Sequence, residues 1–413
     1  MATRLKVNIP EVKTSFFAFN GGLDLVTPPI EMPKGVLRSC SNVELAINGG
    51  ISRLAGYERY SGKAKPSDAI YAILTCTITG TVNLGDVLTD NAGTSFGTVI
   101  ALPTGQAVLT LITGAFSTGN IKVGAVTVGT CVGAQTTGSA STPALNATYM
   151  NLAADVYRAL IAVVPGEGNI LGVWQYADNV YAFRNNVGST LAVMHKASAS
   201  GWVAVTMYNE VAFTVGSGAA TIIDGGTLTQ GGVTATIQRV VVRSGSLASG
   251  TAAGQLIITN PTGGNFGAGA ATVGAGTLTL TAIQTAISFL PSGRFEFDNW
   301  NFGGGAGTKK MYGCDGVNRG FEFDGTTLVP LITGMPLDKP VHVRQHKNHL
   351  FFAFSGSAQH SGTGNPYAWT ILSGAGELAC GDTISGFVEL AGTAEGGAMA
   401  LYTRNRTLVL YGN

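Results

Sequence analysis

The chain has 413 residues, 45% hydrophobic and only 11% charged, with 24 basic against 23 acidic side chains and a net charge of +1. This balance excludes intrinsic disorder, which needs low hydrophobicity and high net charge. It also argues against a tight grip on nucleic acid, because no run of Lys or Arg supplies the clustered cations that phosphates demand. So few charges leave a surface suited to being covered by partners in a permanent assembly.

The N-terminus, MATRLKVNIPEVK, lacks the apolar core of a signal peptide, and no apolar run is long enough to span a bilayer. The expectation is a protein made in a cytoplasm and soluble until it assembles. Residues 1–73 read as an arm and platform segment. Gly21-Gly22, Pro28-Pro29 and Gly49-Gly50 force an extended, turn-broken path. Such an arm builds little core of its own, so Phe17, Phe19, Leu23, Leu25 and Ile30 require a partner surface. A short helix is expected over Val36–Val43.

From there on, short β-branched runs alternate with turns rich in glycine, of which there are 59. That pattern predicts many short strands in sandwiches, barrels or propellers. Residues 74–136 read as a Gly/Thr-rich β module. Residues 137–210 hold a helix and a first blade. The helix is expected between about 146 and 164, capped by Asn146 or Thr148 and stopped by Pro165-Gly166, with Met150, Ala153, Ala154, Val156, Tyr157, Leu160 and Ile161 at helical spacing. Ile170 to Thr206 then offers four strands: ILGVWQ, VYAFR, LAVMHK and WVAVT. Residues 211–286 read as a second Gly/Thr module. Gly85-Asp-Val-Leu-Thr-Asp resembles the phrase beginning Gly226-Thr-Leu-Thr, and Val108-Leu-Thr-Leu-Ile-Thr resembles Gln255-Leu-Ile-Ile-Thr, which predicts a shared topology. Residues 287–413 read as further blades.

A second repeat is a polar turn followed by an aromatic strand, at Asp178-Asn179, Asn318, Asn348 and Asn405. Its spacing is irregular: Asn318 to Asn348 is shorter than the ~40–50 residues of a usual blade. The fold class expected is all-β: a propeller-like domain with inserted β-sandwich or barrel modules, an extended N-terminal arm and one substantial helix. Too few blades are present to close a ring of four to eight, so either the native chain continues past Asn413 or the ring is completed by other means.

No constellation reads as an active site. The cysteines Cys40, Cys76, Cys131, Cys314 and Cys380 form no C-x-x-C pair, which indicates neither zinc nor a disulfide framework, and they read as buried thiols. His342 and His346 share a strand face, but His349 follows the Lys347-Asn348 turn and no further ligand lies near, so surface hairpin histidines are favoured over a metal site. Gly303 to Lys310 imitates a phosphate loop without its Lys-Ser/Thr ending or following helix, and reads as a propeller loop. Glu296 and Asp298 alternate on one strand face as a weak glycosidase candidate. Arg239, Arg243, Arg404 and Arg406 read as solvated hairpin ends rather than phosphate contacts. The expectation is therefore no catalytic residue, no cofactor and no metal.

GGLDLVTPPIEMPKG, then SNVEL and GGISRLAGYERY, resembles the opening of the short-tailed bacteriophage nozzle proteins, also called tail tubular protein B or head–tail stabilisation proteins. The Gly/Thr modules and LGVWQYADNVYAFRN are similar to parts of that family as well. The resemblance implies a structural, non-enzymatic virion protein that forms a homohexameric ring below the portal and adaptor. The ring would surround the DNA exit channel, with fibres or spikes attached nearby. This chain is shorter than that family leads one to expect, which leaves the tip-forming part in doubt. The alternative is a tail fibre or spike that binds or cleaves host surface polysaccharide.

Overall fold

The structure, a computed structural model, describes residues 21–45, 51–54, 56–390 and 397–411. The chain divides into two units, Met1–Glu58 and Arg59–Asn413.

In the first unit, Leu23 bridges Leu37, and β1 (Val43–Leu45) pairs antiparallel with β2 (Ile51–Arg53). Asp24 Oδ1 accepts from the amides of Val26 and Thr27, each at 2.9 Å, which fixes the turn before Pro28. The helix expected over Val36–Val43 does not form. The amide of Leu37 donates to Gly22 O at 2.9 Å instead of to a carbonyl one helical turn back, and Asn42 sits in the left-handed region (φ 57°). Phe17 and Phe19 lie outside the described residues, while Leu25, Val26 and Ile30 are exposed.

The second unit is all-β apart from one α-helix among the described residues. Its first module is a closed six-stranded barrel of β3 (Tyr71–Ile78), β4 (Val87–Asp90), β5 (Phe96–Ala101), β6 (Gln106–Thr113), β7 (Gly119–Val123) and β8 (Val126–Cys131). The order is 6-5-4-7-8-3, with β3 pairing β6 to close it and β9 (Thr136–Thr137) added beside β3. Helix α1 (Pro143–Leu160) packs on the outside of this barrel, burying Tyr149 and Ala153 against Tyr71, Ile73, Ile100 and Val108. Its N-cap is Thr142, whose hydroxyl accepts from Leu145 N at 3.2 Å, with Pro143 in the first turn. The helix therefore starts earlier than Asn146 and ends at Leu160, and Leu160 is exposed rather than part of the buried face.

A first blade follows: β10 (Glu167–Tyr176), β11 (Asn179–Asn185), β12 (Ala192–Ser198) and β13 (Gly201–Ala204), an antiparallel meander. The second barrel comes next, with β14 (Asn209–Val215), β15 (Thr227–Gln230), β16 (Val233–Ser244), β17 (Ala253–Ile258), β18 (Gly269–Val273), β19 (Gly276–Leu280) and β20 (Thr285–Ala286) in the order 17-16-15-18-19-14-20, closed by β14–β17. Position for position this is the order of the first barrel, and the match reaches single bonds. Phe116 N donates to Gln135 Oε1 at 3.1 Å in one barrel, and Phe266 N to Gln284 Oε1 at 2.9 Å in the other. Both phenylalanines are fully buried. Equivalent outer residues differ only in what covers them. Val108 lies under α1, whereas Ile257 packs into the aromatic core between the first two blades.

Three more meanders complete the unit. They are β21 (Glu296–Trp300), β22 (Lys310–Cys314), β23 (Phe321–Phe323) and β24 (Leu328–Pro330); then β25 (His342–His346), β26 (His349–Phe354), β27 (Ser357–His360) and β28 (Gly376–Ala379); and finally β29 (Ile384–Leu390), β30 (Ala398–Thr403) and β31 (Thr407–Leu410). The first strands contact one another in succession, β10 to β21 to β25 to β29, which is how blades sit around a propeller axis. Side-chain alternation gives the second and third blades two buried faces. On β26, Leu350, Phe352 and Phe354 face the second blade with Tyr312 and Leu331, while Phe351 and Ala353 face the fourth with Met399 and Leu401. Gly172 has no room for a side chain, because a Cβ there would lie 2.6 Å from Phe295.

Candidate functional site

A largely buried charged group of the second unit lies where the second barrel meets the second blade. On β22, Lys310 and Tyr312 point to one side while Met311 points to the other. Opposite them, Glu322 on β23 and Asp324 just after it share the polar side, because Tyr312 pairs with Glu322 and Met311 with Phe323. Strand alternation thus puts an aromatic core on one face and ionisable groups on the other. From the barrel, β16 contributes Arg239 at a register irregularity between Ile237 and Arg239, the kind of bulge that re-aims a side chain. A loop of the third blade adds Tyr367.

Glu322 is 1% exposed and fully engaged. Its Oε1 accepts from Lys310 Nζ and from Tyr367 Oη, both at 2.6 Å, and its Oε2 accepts from Tyr312 Oη at 2.9 Å. Arg239 reaches Asp324 through one terminal nitrogen. Its Nε lies 3.4 Å from Asp224 Oδ2, an ion pair without hydrogen-bond alignment. Burial, then the neighbouring Glu322 carboxylate, pushes the hydroxyls of Tyr312 and Tyr367 far above the ordinary tyrosine range, so both stay protonated donors. Tyr176, which donates to Lys309 O, is pushed up to about 12, chiefly by burial and then by Asp324. Burial would raise Asp324, but the amides of Thr327 and Thr326, the Thr326 hydroxyl and Arg239 outweigh it and hold the carboxyl below its ordinary value. The group borders a cleft of about 780 Å³ whose rim carries Phe302, Thr308 and Asn365.

Arg239 is thus no solvated hairpin end. It is the centre of an ion cluster joining barrel to blade. Arg243, also half-buried, lines a neighbouring cavity of about 530 Å³ with Tyr367 and Trp369. Arg404 and Arg406 are exposed beside the β30–β31 turn. The loop Gly303 to Lys309 is closed by Asn301, whose side chain bonds Gly304 N and Gly305 O, and it leads into β22 rather than a helix.

The remaining candidates fall on the first strands of the blades. Glu296 Oε2 meets His342 Nδ1 at 2.8 Å, and Asp298 Oδ2 accepts from Gln345 N at 2.7 Å and faces Arg344. Arg344 also reaches Glu389 of the fourth blade at 3.3 Å. Trp174 Nε1 donates to Asn299 Oδ1 between the first and second blades at 2.9 Å. These contacts stitch neighbouring blades. Burial raises Asp298 despite the Gln345 amide and Arg344. A glycosidase needs two carboxylates facing each other across a cleft about 5–9 Å apart, whereas Glu296 and Asp298 lie side by side and each is engaged with the third blade.

His346 packs near Phe351, and His349 places Nδ1 2.5 Å from Ser361 O and Nε2 3.1 Å from Thr363. His346 and His349 stand opposite each other across the β25–β26 turn and His346 is buried rather than at the surface, but among the described residues no group of three or more His, Cys, Asp or Glu is placed to hold a metal. His360, unremarked in the sequence, stands 4.8 Å from the His349 ring. No helix among the described residues is long and apolar enough to cross a membrane. Against known proteins, no family model, no curated protein and no solved structure matches the chain.

Proposed function

We propose that the chain is a structural subunit of a short bacteriophage tail, forming a homomeric ring of six around the DNA exit channel below the portal and adaptor, without catalysis of its own. The observation that carries this reading is a blade succession interrupted by a barrel that repeats the topology of an earlier one, in a chain whose N-terminal segment resembles nozzle proteins. The ionisable cluster around Glu322 supports it, because each oxygen of Glu322 is committed to an internal donor and the cluster fastens barrel to blade. The near-zero net charge suits a lumen through which DNA slips. A second reading, a fibre or spike that binds host polysaccharide, draws on the cleft beside Tyr367, where carboxylates and aromatic rings meet. Native mass measurement of the assembled protein separates the two. Six copies with an open centre fit the ring; a trimer that binds polysaccharide would overturn it.

A further inference from the structure

Cys76 and Cys131 stand directly opposite each other on β3 and β8 of the first barrel. The ladder on either side fixes what kind of pair they form. Val132 N donates to Thr75 O and Thr79 N to Val128 O, both at 2.9 Å, while Cys76 N turns away to Gly105 O on the other neighbour. Hydrogen-bonded and non-hydrogen-bonded pairs alternate along an antiparallel ladder, so the two cysteines occupy a non-hydrogen-bonded pair. In such pairs the Cα atoms approach to about 4.5 Å and the side chains are at their closest, inside the window of about 4.4–6.8 Å that a disulfide bridges. Both side chains point into the same core and are 1% and 0% exposed. The second barrel places Phe213 opposite Leu280 at the equivalent pair. Packing in this topology is thus met by ordinary apolar side chains and does not call for sulfur.

We propose that Cys76 and Cys131 are a reversible cross-link site, whose disulfide ties β8 to β3 and holds the first barrel closed in an oxidising setting. The oxidant required is a small-molecule disulfide such as glutathione disulfide. One cysteine, as thiolate, attacks a sulfur of glutathione disulfide; a mixed disulfide forms and one glutathione thiolate leaves. The second cysteine, as thiolate, attacks the protein sulfur of that mixed disulfide and displaces the other glutathione. The protein loses two electrons and two protons, and one glutathione disulfide becomes two glutathiones. Burial, and for Cys131 also its neighbour Cys76, holds both thiols above their ordinary range. Exchange therefore waits for the β3–β8 seam to open, during folding or by local unfolding.

The test uses the full chain with the exposed Cys40 replaced (Cys40→Ser), leaving four cysteines. It is incubated natively with glutathione disulfide and, in parallel, refolded in its presence, then denatured and alkylated without reductant. The expected result, in at least the refolded sample, is alkylation of Cys314 and Cys380 only. One peptide pair joining residues 76 and 131 should be recovered, all four labels should return after dithiothreitol, and the thermal midpoint should be higher in the oxidised form. Adding Cys131→Ser should abolish the cross-linked pair and leave Cys76 labelled or carrying glutathione. Free Cys76 and Cys131 in both samples, or pairing with other cysteines, would overturn the proposal.

Discussion

At the level of single residues the most consequential side chain is Glu322. Its charge is removed from water and offset by Lys310 and two tyrosine hydroxyls, with Arg239 3.8 Å away. Replacing an intact buried cluster by apolar groups is often neutral, but deleting one partner strands the others. Glu322→Ala should therefore lower unfolding stability by about 3–5 kcal/mol in urea titration, and a Glu322→Gln, Lys310→Met pair should recover part of the loss. A change below about 0.5 kcal/mol would mean that water already screens the group. None of this was legible in the sequence. Glu322 lies between two phenylalanines and looks like an ordinary exposed position of an alternating strand, and Arg239 looks like the end of a Val run. Their partners come from strands and loops up to 128 residues away, at Tyr367, and only the tertiary arrangement brings them together.

Strands and helices show what local pattern does and does not carry. The first hairpins of the first and third blades are readable because Ala177-Asp178 and Lys347-Asn348 are two-residue turns ending in a polar Asp or Asn, and both central positions adopt the positive φ that suits a hairpin. The irregular spacing of the aromatic phrases has a simple cause. Asp178 and Asn348 follow the first strand of a blade, whereas Asn318 and Asn405 follow the second. First strands themselves start at Glu296, His342 and Ile384, spacings of 46 and 42 residues, as blades require. The helix start was misread because Thr142-Pro143 precedes the periodic stretch. The third blade also carries four of the five histidines, and it should respond to acid. Burial, with His349 and for His346 also Lys347, depresses His346 and His360 below their ordinary 6.5. A base whose folded pKa is lowered binds fewer protons folded than unfolded. Its stability is then complete above the unfolded value and lost as pH falls through it towards the folded one. Hydrogen exchange of β26 and β27 amides should accelerate, after correction for intrinsic rates, as pH falls from neutrality through the ordinary histidine value of 6.5 and below it, and His360→Gln should reduce that sensitivity. Unchanged protection across the window would contradict it.

For the whole molecule the division at Glu58–Arg59 matters most. Among its described residues the second unit contains its own cores, six buried clusters spread over the two barrels, the seat of α1 and the spaces between blades. The described part of the first unit has little of that kind: one bridge, one short strand pair, and Leu25, Val26, Ile30 and Tyr57 at 76%, 92%, 94% and 91% exposure. Apolar side chains this open gain roughly 25 cal/mol per Å² when another surface removes them from water, and in the proposed ring that surface would belong to a neighbouring subunit. If the proposed ring forms, a chain lacking residues 1–58 should keep its far-ultraviolet dichroism and a cooperative thermal transition, yet sediment as a monomer under conditions in which the full chain sediments as a ring. Substituting Val26 and Ile30 by serine should weaken ring formation in the same direction without touching the second unit. The ring that forms should let double-stranded DNA pass without retention. With 24 cations matched by 23 anions, and Arg239 and Lys310 committed to internal carboxylates, few charges remain to release counterions from phosphates. Filter binding at physiological salt should then detect no complex. A truncated chain that still forms rings would remove the arm from the assembly mechanism, and retained DNA with a steep salt dependence would show that the channel holds its cargo electrostatically.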